Sequence, residues 1–150
     1  MTYDSTADTK AHIGKVQARI DEVCKHLLVR AVDHDASKLA EPEKSGYGHI
    51  TEQLAQLTYG SDEYRAALAA NKPTIDHHYA HNAHHPEHWP DGIAGMSLLD
   101  VVEMLCDWKA ASERTKQGSI AGSLAHNRMR FQIDEQLARI LENTVKELGW

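Results

Sequence analysis

Apolar residues in the first part of the chain recur with the three-to-four spacing of an α-helix. Between residues 7 and 33 the apolar positions are Ile13, Val16, Ile20, Val23, Cys24, Leu27 and Leu28. This spacing places them along one side of a long helix, and we expect that side to be a buried face. A polar segment over residues 33–48 follows, in which Pro42, Gly46 and Gly48 act as helix breakers.

The middle of the chain is predicted to form short helices. We expect one over residues 50–57 and another that is capped by Ser61 and runs to about residue 70. Pro73 interrupts the pattern, after which a helix beginning at Thr74 can continue to residue 85 and stop at Pro86.

The last third of the chain has the same helical character. A loop over residues 88–95 precedes a helix over residues 98–114, whose start carries Ser97 and Asp100 at capping-box spacing. A weaker helix follows Gly118, and a final helix over residues 131–148 stops at Gly149. Alternation with a period of two is scarce throughout, so we predict an all-α fold, arranged as one domain over residues 1–150.

Composition and charge narrow the possible classes of protein. Sixteen Lys and Arg against 22 Asp and Glu give a formal net charge of −6, which disfavours nucleic acid as a partner. There is no apolar run long enough for a membrane span, and the polar N-terminus lacks the features of a secretory signal. Two cysteines, Cys24 and Cys106, do not make a disulfide framework, so we expect buried thiols in a reducing compartment.

Histidine is the unusual feature of the composition, because six of the 11 histidines lie between His77 and His88. If the chain is helical up to Pro86, then His77, His81 and either His84 or His85 share one face. Imidazoles at that spacing can reach a common ion such as zinc, iron or manganese. A merely solvated face would be served better by Lys and Glu, so the cluster favours a metal site.

Two further groups of residues could contribute to such a site. Adjacent His34 and Asp35 can direct a nitrogen and an oxygen at one divalent ion, with Lys38 placed to neutralise an anion, although such a dipeptide is also typical of a plain helix end. On the helix after Ser97, three acidic residues share one stripe. We expect a solvated face or a role behind the ligands for Asp100 and Glu103, and a ligand role for Asp107.

Taken in order, His12, His34-Asp35 with Lys38, His84-His85-x-Glu87 and Asp107 resemble the HD-domain superfamily of metal-dependent phosphohydrolases. Residues 84–108 are similar in particular to the HD-type cyclic-dinucleotide phosphodiesterases. The whole chain also resembles a small uncharacterised family of bacterial and bacteriophage proteins. The motifs of that family, HD-S-K, N-x-HHPEH and EM-x-DW-x-A, correspond here to residues 34–38, 82–88 and 103–110.

The resemblance implies a compact helical bundle with a metal site between helices. Its core ligands would be His34, Asp35 and Asp107, with His12 as the first ligand and His84 and His85 serving a second metal. One or two divalent ions of Mn, Fe, Zn, Co or Mg would activate a water for attack on phosphorus. Asp35 and Lys38 would be the catalytic residues, with Lys38 facing the phosphate. The implied substrate is a nucleotide, and the implied location is the cytoplasm of a bacterium or of a phage's host.

One spacing departs from the HD pattern, because only 22 residues separate His12 from His34 and nothing after Gly14 breaks the helix. A continuous helix of that length would hold the two residues about 33 Å apart. Either the helix breaks near Asp21, or His12 is not a ligand. In the second case one of four other histidines completes the site: His26, His77, His78 or His81.

Substrate contacts and alternative functions stay open at this stage. Cations near the motifs that could bind phosphate are Lys38, Arg30, Lys109 and Arg114, and the rings that could stack on a base are Tyr79, Trp89 and Trp108. The alternatives to a phosphohydrolase are a di-iron oxygenase of HD type, a non-catalytic metal- or nucleotide-binding protein, and a helical interaction protein. The helices that begin near Leu98 and Phe131 could pack against a second subunit.

Overall fold

Every regular element in the described part of the chain is helical, which confirms the predicted all-α class. The structure is a computed structural model that describes residues 3–54, 56–57, 61–114 and 118–150. Its α-helices are α1 (Thr6–Asp33), α2 (Glu43–Leu54), α3 (Asp62–Ala70), α4 (Lys72–His81), α5 (Leu98–Ser112), α6 (Ile120–Arg130) and α7 (Glu135–Glu147). Short 3₁₀ turns occupy Ala36–Leu39, Pro86–His88 and Gly92–Gly95.

The chain divides into two units, one ending at His34 and the other beginning at Asp35. The first unit contains α1, whose apolar positions Ile13, Val16 and Ile20 are exposed. The expected buried face of this helix is therefore wrong, because α1 is the one helix described in its unit and cannot cover its own apolar stripe. The arrangement of residues 1–150 as a single domain stays a prediction.

The hydrophobic core of the second unit lies among α5, α6 and α7. Helix α6 packs against both α5 and α7. The buried residues between them are Val101, Met104, Leu105, Ile120, Leu124, Ile133, Ala138, Leu141 and Val145. Trp108 and Phe131 pack against this core with their rings nearly parallel. The apolar face of each of these helices is thus buried by its neighbours, as amphipathic helices require.

Several helix ends lie where the sequence predicts them, because caps are local interactions. The Ser61 hydroxyl accepts a hydrogen bond from the Tyr64 amide at 3.1 Å, and α3 begins there. Ser97 and Asp100 form the complete capping box at the start of α5. Gly149 has a φ of 68°, the left-handed conformation that commonly ends a helix, just beyond α7.

Helix α2 corrects the prediction of a polar, broken segment over residues 33–48. It begins at Glu43 and passes through both Gly46 and Gly48. Glycine inside a helix costs only about 1 kcal/mol relative to alanine, so packing can override the breaker signal. At Gly46 the packing is visible, since an added Cβ would lie 2.3 Å from Oγ1 of Thr74 in α4.

Helix α4 is shorter than predicted and begins earlier. Pro73 lies in its first turn, where its missing N–H does no harm, so this proline starts the helix and does not interrupt it. The helix ends at His81, and Asn82 has an extended backbone. The Asn82 side chain donates a hydrogen bond to the His78 carbonyl at 2.8 Å, which supplies a local alternative to another helical turn. A helix continuing to Pro86 is therefore wrong.

The cysteines also differ from expectation, since Cys24 and Cys106 are both free and exposed. Cys24 belongs to the exposed apolar stripe of α1, whereas Cys106 lies on the exposed side of α5, next to the buried Leu105. Among the helices that the structure describes, none is both long enough and apolar enough to cross a bilayer.

The close approach of α2 and α4 makes a paired test possible at two glycines of one helix. Gly46→Ala must displace Thr74, whereas a Cβ at Gly48 meets nothing within 4 Å. Both substitutions gain the same helix propensity, so Gly46→Ala should be less stable than Gly48→Ala by about 1–3 kcal/mol, the cost of overpacking. Urea unfolding followed by circular dichroism measures this difference, and equal stabilities would contradict the packing described.

Candidate metal centre

A buried carboxylate at the first residue of α2 organises the polar interior of the second unit. Glu43 has no exposed surface. Its Oε1 lies 2.8 Å from Nδ1 of His77, while its Oε2 lies 2.9 Å from Nδ1 of His78 and accepts the Ser37 hydroxyl at 2.8 Å. Burial alone would raise the pKa of Glu43, but these hydrogen bonds lower it below its ordinary value. Glu43 is therefore an anion that holds two histidines by their Nδ1 atoms.

The Glu43 carboxylate fixes which nitrogen of His78 is available to bind a metal ion. An ionised carboxylate only accepts hydrogen bonds, so His78 donates through Nδ1. Its other nitrogen, Nε2, faces Asp35 and His85. Asn82 extends this network, since its amide donates at 2.8 Å to the same Ser37 hydroxyl that donates to Glu43. His78 is itself almost fully buried, so the orientation of its ring is set by these contacts.

His84 is held in the same way by a second carboxylate. It is buried in the turn that follows α4, and its Nδ1 lies 3.1 Å from Oε1 of Glu103 on α5. The Nε2 atom of His84 therefore faces the opposite direction, toward Asp35. Glu103 therefore lies behind a candidate ligand, His84, and this is one of the two roles predicted for it. Asp100, in contrast, is buried and caps α5, so a solvated face is wrong for it.

Four side chains converge on one point, and we call them the metal centre: Asp35, His78, His84 and His85. Asp35 Oδ1 lies 3.2 Å from His78 Nε2 and 3.6 Å from His84 Nε2, and His78 Nε2 lies 2.9 Å from His85 Nε2. One ligand atom from each residue lies within 4.8 Å of all the others. Two nitrogens bound to one ion at about 2.1 Å are roughly 3.0–3.4 Å apart, so these separations suit a single metal ion.

The protonation state of His85 also suits a metal ligand. Burial, together with the nearby His84 and His78, lowers the pKa of His85 to about 3. The imidazole is therefore neutral near pH 7 and carries a lone pair. Imidazoles bind metals in their neutral form, and three of them with one carboxylate are a donor set used by zinc, iron and related divalent metals.

Asp35 is positioned by an unusual backbone conformation. Its φ is 55° and its ψ is 16°, in the left-handed region that Asp and Asn tolerate better than most residues. The conformation directs Oδ1 to the histidines, while Oδ2 accepts a hydrogen bond from the Lys38 ammonium at 2.6 Å. The Lys38 ammonium also lies 4.9 Å from the centre of the Tyr47 ring. A lysine therefore stands beside the metal centre, bound to the Asp35 oxygen that is not the one nearest the imidazoles.

The metal centre contains the predicted ligands Asp35, His84 and His85, and His78 joins them from the predicted alternatives. Asp107 lies beside His85 in the wall of one cavity, without being a member of the converging group. Its role as a ligand stays a prediction.

The continuity of α1 shows whether His12 and His34 can bind the same ion. It is continuous from Thr6 to Asp33, without a break near Asp21. His12 and His34 are therefore about 33 Å apart along one helix and do not share an ion. His34 is the residue that caps the end of α1, directly before Asp35 in the chain. Its ligand role stays a prediction.

Glu43 is the residue of the candidate site that the sequence did not indicate. Its histidine partners lie 34 and 35 residues further along the chain, and no local motif marks it. Glu43 also forms the inner member of a second group that could hold an ion, with His77 and His81. The rings of these two histidines stack at 4.0 Å on the outer face of α4.

The fold and the site define a helical protein with a candidate metal centre of three histidines and one aspartate. The chain belongs to a family of unknown function, DUF5662, whose model matches residues 1–147. No curated protein and no solved structure matches the sequence.

The carboxylates behind the imidazoles should control metal affinity. Glu43→Gln keeps the shape of the side chain but removes the charge that fixes the His78 ring, so we expect the affinity for Zn²⁺ or Mn²⁺ to fall by about 10–100-fold. Glu103→Gln should act in the same direction through His84. Calorimetric titration measures both effects, with Glu52→Gln, an exposed residue of the same helix α2, as the matched control. Affinities equal to that of the control would exclude this role.

Proposed function

We propose that this protein is a metal-dependent phosphohydrolase with an HD-domain-like site, acting on a phosphate ester or anhydride of a nucleotide. The observation that carries the proposal is the convergence of Asp35, His78, His84 and His85, two of whose imidazoles are backed by buried or half-buried carboxylates. Carboxylates behind ligand histidines are common at metal sites, where they set ring orientation and ligand basicity.

The composition of the metal centre favours hydrolytic chemistry. A divalent ion held there would supply a Lewis acid and lower the pKa of a bound water toward neutrality. Three of the four ligand groups are imidazoles, which coordinate as neutral ligands and leave the ion most of its positive charge. Because Lys38 balances the charge of Asp35, an anionic phosphate is attracted to this centre.

Lys38 has a separate role in the proposal. Its ammonium is half-buried, is held by Asp35 Oδ2 and lies against Tyr47, so its position is fixed without a phosphate present. An ammonium is a compact donor that suits phosphate oxygens. Lys38 would bind a phosphate oxygen while Asp35 Oδ1 remains directed at the imidazoles.

Two further features support the proposal. The resemblance to HD phosphohydrolases places Asp35 and Lys38 in catalytic roles, and both lie at the metal centre. The free thiols of Cys24 and Cys106 suit a reducing compartment such as the cytoplasm.

Metal content is the first test, and Asp35→Asn is the variant to use because Asn tolerates the left-handed backbone that Ala would disfavour. Elemental analysis of untagged wild-type protein should find one or two divalent metals per chain, and Asp35→Asn should lose most of them. Asp91→Asn, in an exposed turn, should keep the wild-type metal content. Absence of metal in the wild type after incubation with manganese, zinc or iron would refute the enzyme proposal and favour a helical interaction protein.

Turnover is tested with the metal-loaded protein and a panel of nucleotides. The proposal is supported if the wild type releases inorganic phosphate and Lys38→Met does not, while both proteins contain the same amount of metal. Bound iron with oxygen-dependent turnover would favour a di-iron oxygenase, and tight binding of intact nucleotide would favour a non-catalytic binding protein.

A further inference from the structure

We propose that a cavity beside the metal centre binds the organic part of the substrate, a flat heteroaromatic group such as a nucleobase, and that Asn127 determines its specificity. This inference rests on the proposed function for the location of the phosphate. The binding of the organic group itself depends only on the walls of the cavity, so it can be tested without turnover.

The cavity adjoins the metal centre directly. It has a volume of about 530 Å³ and is lined by residues of α4, α5 and α6, together with the segment around Pro86. His85 lies in its wall and is also a member of the metal centre. A phosphate at the metal centre would therefore carry its ester group into this space, whose volume is typical of sites for small molecules.

Aromatic rings supply the apolar part of the wall. Tyr79, Trp108 and Phe131 all line the cavity, and the last two are nearly parallel. Aromatic side chains bind flat rings by stacking, and base stacking on such rings is tolerant of the identity of the base. The rings therefore favour a flat ligand without selecting among related ones.

Asn127 supplies the polar group of the cavity wall that can select among related flat ligands. It is only 8% exposed and lines the cavity from α6. Within the described ranges, no residue forms a hydrogen bond with its side-chain amide. The amide can therefore donate to and accept from a ligand in the cavity that it lines. Its neighbouring donor and acceptor match the paired donor and acceptor on the edge of a nucleobase.

Charge around the cavity limits the number of phosphates. Arg130 is the one Arg or Lys among the described lining residues, and its guanidinium is bound to Glu87 at 2.5 Å. The same guanidinium lies over the Phe131 ring. Asp107 adds a negative charge to the wall. A triphosphate extending into the cavity would meet the Asp107 carboxylate and a guanidinium that is already bound to Glu87. We therefore infer a phosphomonoester whose single phosphate lies at the metal centre.

The test uses the metal-free protein titrated with adenosine, guanosine, cytidine and uridine and with their 5′-monophosphates, followed by calorimetry and tryptophan fluorescence. One or more nucleosides should bind and quench fluorescence, and Trp108→Phe should remove that quenching. Asn127→Ala should weaken binding of the preferred nucleoside by about 5- to 150-fold, the range for losing a bidentate contact to a base. Asn143→Ala, exposed on α7, is the matched control.

The outcomes separate this inference from the proposed function. Equal affinities for Asn127→Ala and Asn143→Ala would overturn the role of Asn127. If no nucleoside or monophosphate binds at millimolar concentration, while the metal-loaded protein hydrolyses p-nitrophenyl phosphate, the cavity inference fails and the phosphohydrolase stands. Binding of a nucleoside by a protein that takes up no metal would support the cavity and refute the phosphohydrolase.

Discussion

The buried carboxylate of Glu43 is the interaction on which the polar interior depends. A carboxylate without exposed surface is strongly unfavourable unless it is fully hydrogen-bonded. Glu43 meets this requirement by joining Ser37 in the first 3₁₀ turn to His77 and His78 in α4. Because Asp35 is only two residues before Ser37, the same contacts bring the aspartate to the histidines. The metal centre and the packing of α2 on α4 are therefore one structure.

The local features of the fold could be predicted from the sequence, while those set by packing could not. Ser61, Ser97 and Gly149 mark helix ends because capping involves neighbouring residues. Gly46 predicts a helix break, but it lies inside α2, where it allows close contact with Thr74, 28 residues further along the chain. The spacing of apolar residues in α1 predicts the helix correctly, but it does not show whether the apolar side is covered.

Some residues of the candidate site could likewise be predicted from the sequence, and others could not. His84, His85 and Asp35 could be found because they lie in conspicuous clusters whose chemistry suits a metal. His78 was one of several histidines that could complete the group. It is singled out by the fold, because α4 ends at His81 and the chain then turns so that His84 and His85 meet His78. Glu43 could not be found, since a glutamate in a polar segment is ordinary until its partners are known. Asn127 is equally ordinary in the sequence, and only its burial makes it distinctive.

The left-handed backbone at Asp35 has a consequence for the thermodynamics of ion binding. A ligand carboxylate on a flexible loop loses conformational entropy when it coordinates, and that loss weakens the affinity. Asp35 is held by its own backbone angles, by the 3₁₀ turn that follows and by the Lys38 ammonium before any ion arrives. The ordering of this residue is completed during folding, so ion binding at this site would carry only a small entropic penalty for the aspartate.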